Sequence, residues 1–416
     1  MQTLAIVGAS LAGLSAARAA RAQGFAGRLV IIGDEHHRPY DRPPLSKDFL
    51  LGTITSEDLF LETDDDGLQA EWLLGGGAVG LDADSRTVRL HDGSSVSADG
   101  IVIATGARAR KLPALEGLEN VFYLRTIADA QGLTPRLVPG ARMTVIGAGF
   151  IGAEVASAAA SRGMEVTMIN NAPVPFTAQL GQDMGDVVAK LHLANGVDLI
   201  SGVVIQEFQT RDGAATGLRL ADGRQLETDV VVVGIGAEPN TEWLEGSGVE
   251  LGSGVLCDAM GRTNVPGIVA VGDCAAWFDK ARGGHRRIEH WTGALERAAL
   301  AVQALLDSDT PEQPLKPPYF WSDQHGVKIQ FAGHSAGHDR VEIETGDPQE
   351  HSFLAVYYRG DVPVAVLGMN QPRLFTKWRR SLASPAPALA SPLPAQPAAL
   401  AVPARAAALV GAAAVS

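Results

Sequence analysis

Ile6-Val7-Gly8-Ala9-Ser10-Leu11-Ala12-Gly13 and, 139 positions further on, Val145-Ile146-Gly147-Ala148-Gly149-Phe150-Ile151-Gly152 decide how this chain is read. In each, an apolar strand runs into a tight glycine turn and then a helix. That geometry aims backbone N–H groups and a helix N-terminus at a pyrophosphate. A single such stretch is weak evidence. Two in one chain imply two dinucleotides held together, the usual arrangement for FAD beside NAD(P)H.

What surrounds the two stretches repeats as well. Residues 3–8 read as a buried strand, 11–23 as a helix and Arg28–Gly33 as a second strand, a βαβ unit. Thr87–Leu90 and Ser94–Ala98 flank the hairpin signal Asp92-Gly93, and Gly100–Gly106 is a strand ending Ala104-Thr105-Gly106. The pattern restarts with strand 142–146, helix 150–162 and strand 164–169. A hairpin around Asp222-Gly223 follows, then the strand Val230–Gly234 ending Gly234-Ile235-Gly236. The repeat predicts duplicated nucleotide units in an α/β protein with two Rossmann-like domains. Beyond them come a strand at Gly267–Val271 closing on Gly272-Asp273, a helix at about 292–307 and a proline-rich linker from Pro311 to Pro318. Residues 319–368 alternate apolar and polar positions, as in a small mostly β domain with a short helix after it. From Ser381 the chain is Ala/Pro-rich with one charge, Arg405, and reads as a disordered tail; a helix at 397–410 lacks a polar face.

Composition narrows the function classes. The chain has 416 residues, 46% hydrophobic and 19% charged, enough for several domains. A net charge of −13 argues against a nucleic-acid partner. No apolar run reaches the roughly 20 residues a bilayer span needs, and a start directly in a strand gives no sign of a signal peptide. The two cysteines, Cys257 and Cys274, show neither metal-ligand spacing nor Cys-x-x-Cys, so no metal site is expected and a reducing cytoplasm is.

The most distinctive stretch is Arg38-Pro39-Tyr40-Asp41-Arg42-Pro43-Pro44-Leu45-Ser46-Lys47. Its prolines lock φ and brace an extended cationic loop just after a nucleotide-binding strand. Ser46 is placed to cap a helix starting at Lys47, and a rigid lysine near a flavin stabilises its anionic reduced form. The acids Asp34-Glu35 close the preceding strand, where one of them binds a ribose hydroxyl.

This loop after Gly-Asp-Glu resembles the FAD-dependent NAD(P)H:ferredoxin reductases that serve Rieske-type oxygenases and bacterial cytochromes P450. The resemblance spans residues 1 to about 380. It is carried also by Ala104-Thr105-Gly106, Leu124-Arg125-Thr126, Gly234-Ile235-Gly236 with Pro239-Asn240, Gly272-Asp273-Cys274, Glu289-His290-Trp291 and Phe320-Trp321-Ser322-Asp323-Gln324. It implies a glutathione-reductase-like fold: an FAD domain (1–108 and 237–314) interrupted by an NAD(P)H domain (109–236), then an interface domain (315–380) and the tail 381–416. It also implies roles. Gly8, Ser10, Ala12 and Gly13 cradle the FAD pyrophosphate, Asp34 or Glu35 takes the adenosine ribose, and Arg42 and Lys47 belong to the flavin side. Val79, Thr105, Gly106 and Arg125 line the FAD site, Asp273 bonds the ribityl or phosphate region, and Trp291 lies near the flavin pyrimidine. Gly147, Gly149, Ile151, Gly152, Gly234 and Gly236 form the NAD(P)H site.

Glu154, two residues past Gly152, is expected from the wider family to pair with Lys47; read alone, it is a first-turn acid favouring the helix dipole. The second unit's strand ends in Asn170, where NADH binders often carry an acid and NADPH binders place an arginine nearby. Asn170 bonds a ribose without repelling a phosphate, so NADH with weakened discrimination against NADPH is expected. The loop that carries a redox cysteine pair in disulfide reductases is here Pro-Pro-Leu-Ser-Lys, and electrons are expected to leave from the flavin to a protein. Two basic clusters, Lys280/Arg282/Arg286/Arg287 and Arg373/Lys377/Arg379/Arg380, suit an acidic [2Fe–2S] ferredoxin or a rubredoxin; each also reads as a solvated face. Trp291 and Trp321 are candidates for the flavin edge or for plain core. A flavoprotein of the apoptosis-inducing-factor type, sensing NADH, is the reading from another class. The oligomeric state stays open.

Overall fold

The computed structural model describes residues 1–63 and 66–382. The predicted tail and the helix considered at 397–410 fall outside the described residues, apart from the last two residues of a helix ending at Leu382.

Two five-stranded parallel sheets carry the two repeats. The first runs Ile268–Ala270, Gly100–Ile103, Thr3–Val7, Arg28–Gly33, Ala70–Leu74. The second runs Val197–Ser201, Glu165–Asn170, Arg142–Ile146, Val230–Val233, Val121–Phe122. Their central strands are buried on both faces and accordingly lack alternation, as in Leu4–Val7 and Val230–Val233. The first sheet draws its outermost strand from residue 268 onward. The chain therefore leaves this unit, builds the second and returns, and the two crossings pair with each other as an antiparallel ribbon, Ala107–Ala109 against Ala237–Pro239. Asn240 reinforces the ribbon through Thr105: its Nδ2 donates to the Thr105 carbonyl (2.9 Å) and the Thr105 hydroxyl donates to its carbonyl (2.7 Å).

The third unit is a five-stranded antiparallel sheet, Tyr319–Gln324, Val327–Gly333, Val362–Met369, Ser352–Arg359, Arg340–Asp347. One face packs Ile329, Phe331, Phe353 and Tyr357 against Phe176, Leu180, Val188 and Leu191 of the second nucleotide unit. The other receives the helix Pro372–Leu382, whose Phe375 is buried over Gly368; a β-carbon there would sit 3.2 Å from the phenylalanine. Among the described residues no helix is long and apolar enough to cross a membrane.

Candidate functional site

The two glycine turns are built by close approach. Gly8 has φ +126°, and a β-carbon on it would lie 2.0 Å from the Ala104 carbonyl oxygen. One on Gly13 would lie 1.8 Å from the Gly8 oxygen. Glycine is therefore required for the strand end, the helix Leu11–Ala22 and the neighbouring strand end to meet. The second turn copies this: Gly147 has φ +101° with Gly234 O 2.3 Å from a hypothetical β-carbon, and Gly152 stands likewise 2.5 Å from Gly147 O. Gly234 thus serves as the close neighbour of Gly147, while Gly236 (φ +109°) faces open space. Both helices begin without a side-chain cap, at Ser10 and Gly149, so their first-turn N–H groups are left for a ligand. Ile151, in the first turn of the second helix, is 47% exposed, an apolar side chain at the mouth of that turn.

Around the first turn the structure gathers residues far apart in sequence. Arg42 reaches from the proline-braced loop to Glu35 Oε1 (2.6 Å), Ser10 Oγ (3.3 Å) and the Arg125 carbonyl (2.8 Å). Tyr40 donates its hydroxyl to Glu35 Oε2 at 2.6 Å. Burial pushes the Glu35 carboxyl up, but Arg42 and Tyr40 outweigh it and hold it below the usual carboxylate range. Asp34 is exposed, Gly77 lies against it, and Val79 two residues on is 52% exposed on the strand Ala78–Asp82. Arg125 forms a 2.7 Å ion pair with Asp273, and its buried Nε has no hydrogen-bond partner among the described residues. Gly106 has φ +65° and borders Arg125. Trp291 donates Nε1–H to Asp41 at 2.7 Å, fixing the start of the helix Trp291–Leu306 to the same loop.

The proline-braced loop ends differently from the sequence expectation. Pro43–Ser46 forms a 3₁₀ turn and the following short helix, Asp48–Leu51, has Lys47 at its N-cap. Ser46 caps nothing. Its hydroxyl donates to Glu154 Oε2 at 2.5 Å, a charge-assisted bond to a buried carboxylate, and the N-cap position itself falls one residue later, on Lys47. Lys47 Nζ lies 2.9 Å from Glu154 Oε1 and 3.2 Å from the Pro43 carbonyl. Glu154 is the fifth residue of its helix and 5% exposed, so it is not the solvent-facing first-turn acid of the helix-dipole reading. Burial pushes its carboxyl up, opposed by Lys47, Ser322 and Ser46.

Asn170 closes its strand half-buried, with Nδ2 donating to the Ala172 carbonyl at 3.0 Å. One amide proton is thereby occupied locally, and the second proton and the acceptor oxygen remain for a ligand. Of the basic clusters, the first is largely neutralised: Lys280 pairs with Glu312, Arg282 with Asp279 and Arg287 with Glu289. In the second, Arg379 lies over the Tyr319 ring (4.1 Å) and near Glu296 (3.8 Å), while Arg373, Lys377 and Arg380 are exposed. Tyr319 adjoins Trp321 (6.0 Å between ring centroids), and Trp321 adjoins Trp291 (5.7 Å). Both cysteines are fully buried and burial pushes both thiols up, so neither is a nucleophile. Sequence reasoning missed the contributions of Ser46 and Ser322 to these clusters, and placed Arg42 on the flavin side without its bonds to Ser10, Glu35 and the Arg125 carbonyl; the bonds of Ser46 and Ser322 reach residues distant in the chain, and no local pattern announces that.

The donor set fits FAD at the first turn: an uncapped helix N-terminus, a turn that only glycine can occupy, and a buried guanidinium edge without a partner.

Comparison with known proteins agrees. Residues 2–298 match the family model described as pyridine nucleotide-disulphide oxidoreductase, and 319–404 the one described as reductase C-terminal. Putidaredoxin reductase of Pseudomonas putida is 35% identical over 380 residues, covering 89% of each chain. Rhodocoxin reductase of Rhodococcus erythropolis is 34% identical over 92% of this chain and 90% of its own. The ferredoxin–NAD(+) reductase component of a p-cumate 2,3-dioxygenase system, also from Pseudomonas putida, is 36% identical over 91% and 92%. The crystal structure of a covalent putidaredoxin reductase–putidaredoxin complex superposes with a TM-score of 0.87 at 33% identity, covering 92% of this chain and 93% of that one. The chain belongs to the pyridine nucleotide-disulphide oxidoreductases and, within them, to the FAD-dependent NAD(P)H:ferredoxin reductases. Its cofactors are FAD and NAD(P)H.

Proposed function

We propose that this chain carries electrons from NADH to a small iron–sulfur protein, most directly a [2Fe–2S] ferredoxin supplying a cytochrome P450 or a Rieske oxygenase. The observation that supports it best is the turn Pro43–Lys47. Where a disulfide reductase holds a redox cysteine pair, this turn carries a lysine paired with Glu154, and both thiols lie elsewhere in the core.

FAD bound at the first turn supplies the chemistry, accepting two electrons from NAD(P)H and releasing them singly to an iron–sulfur centre. The chain's own residues bind and orient. Gly8, Ser10, Ala12, Gly13 and Arg125 hold the diphosphate, with Arg42 locking Ser10, Glu35 and the Arg125 backbone into one frame. Glu35, already oriented by Arg42 and Tyr40, presents its carboxylate toward the ribose side. Val79, Thr105, Gly106, Asp273 and Trp291 complete the enclosure, and Lys47 holds its positive charge toward the flavin because Glu154 anchors it. Gly147, Gly149, Ile151, Gly152, Gly234, Gly236 and Asn170 take NAD(P)H. Residues 1–108 with 237–314, 109–236 and 315–380 act as FAD, NAD(P)H and interface domains.

Arg373, Lys377 and Arg380 of the last helix, reached from Trp291 through Trp321 and Tyr319, form the docking face for an acidic partner. Unpaired buried thiols suit a reducing, cytoplasmic setting. An acceptor panel tests the reading. NADH-dependent cytochrome c reduction is expected to require an added [2Fe–2S] ferredoxin, and a preference for rubredoxin over every such ferredoxin would redirect it.

A further inference from the structure

Glu154 is the end of a buried hydrogen-bonded string that runs between the second nucleotide unit and the C-terminal sheet. Ser322 Oγ donates to Glu154 Oε1 at 2.5 Å, and Gln324 Nε2 donates to Ser322 Oγ at 2.9 Å. His192 Nε2 stands 2.8 Å from Gln324 Oε1, and His325 Nε2 stands 3.1 Å from His192 Nδ1. Ser322, Gln324 and His192 are fully buried; His325 is half-buried and ends the string. The backbone N–H of His325 also donates to Ser157 Oγ at 2.7 Å, pinning this end to the helix that carries Glu154.

The direction of every donation is fixed by the next. A carboxylate only accepts, so Ser322 gives its proton to Glu154 and its oxygen receives from the Gln324 amide. The Gln324 carbonyl then faces His192, which must donate through Nε2–H and leave Nδ1 bare. Nδ1 in turn receives from His325 Nε2–H. Burial pushes His192 down to about 4, and His325 is lowered for the same reason, so both rings are neutral at pH 7. Turning the Gln324 amide over would take the Ser322 proton away from Glu154. Two oxygens 2.5 Å apart would then have no proton between them unless the carboxyl carried one. Amide orientation, imidazole tautomer and carboxylate charge are thus one linked variable. An apolar pair of the same volume would fill this interior without any polar requirement.

We propose that Gln324 and His192 are positioning residues for the redox site: their one-way string of donors holds Glu154 as the carboxylate that anchors Lys47. The string passes polarity rather than protons, because the amide of Gln324 cannot relay a proton as a hydroxyl or imidazole does. The other groups around Glu154 are few. Lys47 and Ser46 face it from the 3₁₀ turn, and Asp41, bonded to Trp291, stands toward Lys47. Arg162 at the far end of the same helix bonds the Leu50 carbonyl, and Asp323 turns outward to Lys328 at 2.8 Å.

The inference rests on the proposed place of Lys47 and Glu154 beside the flavin, and two measurements on the holoenzyme separate the two claims. The first is the ¹⁵N spectrum of the histidine rings. His192 is expected as the Nε2–H tautomer alone in the wild type and as a mixture in Ser322→Ala, although Ser322 does not touch it. An Nδ1–H tautomer in the wild type, or no response to Ser322→Ala, overturns the string. The second is the flavin midpoint potential against pH. Glu154→Gln is expected to shift it at every pH. Gln324→Met is expected to add a bend to that profile, as Glu154 begins to take up a proton, and the bend should vanish in Gln324→Met/Glu154→Gln. If Glu154→Gln matches the wild type, the placement of the pair beside the flavin fails. If Glu154→Gln shifts the potential while Gln324→Met matches the wild type, the string fails.

Discussion

Arg125 and Asp273, 148 positions apart, meet in a 2.7 Å ion pair that closes the first nucleotide turn from the far side. Burial opposes the Arg125 charge and Asp273 restores it. Removing the carboxylate leaves a half-buried guanidinium whose remaining acid is Glu289, a loss on the order of 1–2 kcal/mol. Asp273→Asn is therefore expected to release flavin readily and to melt below the wild type. Flavin fluorescence on dilution and a thermal melt check both.

Three imidazoles, His192 fully buried and His290 and His334 half-buried, predict an acid-sensitive fold. Burial drives His192 and His290 down to about 4 and His334 to about 3, from an ordinary 6.5. For a group whose folded pKa is depressed, stability is fully present above the unfolded value and is lost as pH falls through the window down to the folded one. Moving from 6.5 to about 4 is worth about 3 kcal/mol for His192 alone. Urea midpoints should fall between pH 6.5 and 4, and His192→Gln should flatten part of that slope.

On the proposed reading, Asn170 sets the choice between NADH and NADPH. One of its amide protons is taken by the Ala172 carbonyl, leaving the second proton and the carbonyl oxygen, but no charge, for the ribose. Asn170→Asp is expected to raise the NADH-over-NADPH ratio of kcat/KM about tenfold, since a charged acceptor both strengthens the hydroxyl bond and repels a phosphate. Asn170→Arg should move the ratio the opposite way.

Docking should follow charge. Arg373→Glu/Lys377→Glu/Arg380→Glu is expected to lower kcat/KM for ferredoxin at least tenfold at low salt while leaving ferricyanide reduction within about twofold. Added salt should slow the wild type far more than the variant.

The sequence was most legible where structure is local. The strands 3–7, 28–33 and 142–146, both glycine turns and the hairpins at Asp92-Gly93 and Asp222-Gly223 follow from apolar runs ended by glycine, and the structure has them. Ser46 shows where local reading stops. Its position before a short helix suggested a cap, but Glu154, 108 residues away, takes its proton. The basic run 280–287 was visible as charge, whereas its neutralisation by Asp279, Glu289 and Glu312 depends on a hairpin and a linker folding back. The string from Glu154 to His325 left no trace in any window, because its members are divided between two units more than 100 residues apart in the chain.

The central claim is that electrons leave this protein through an iron–sulfur partner and not through a thiol. Its most direct test is NADH-driven cytochrome c reduction by Cys257→Ala/Cys274→Ala, with and without a [2Fe–2S] ferredoxin. The account predicts a rate that depends on ferredoxin and stays within about twofold of the wild type. A rate abolished by loss of the two buried cysteines in a folded, flavin-loaded protein, or one indifferent to ferredoxin, would contradict it.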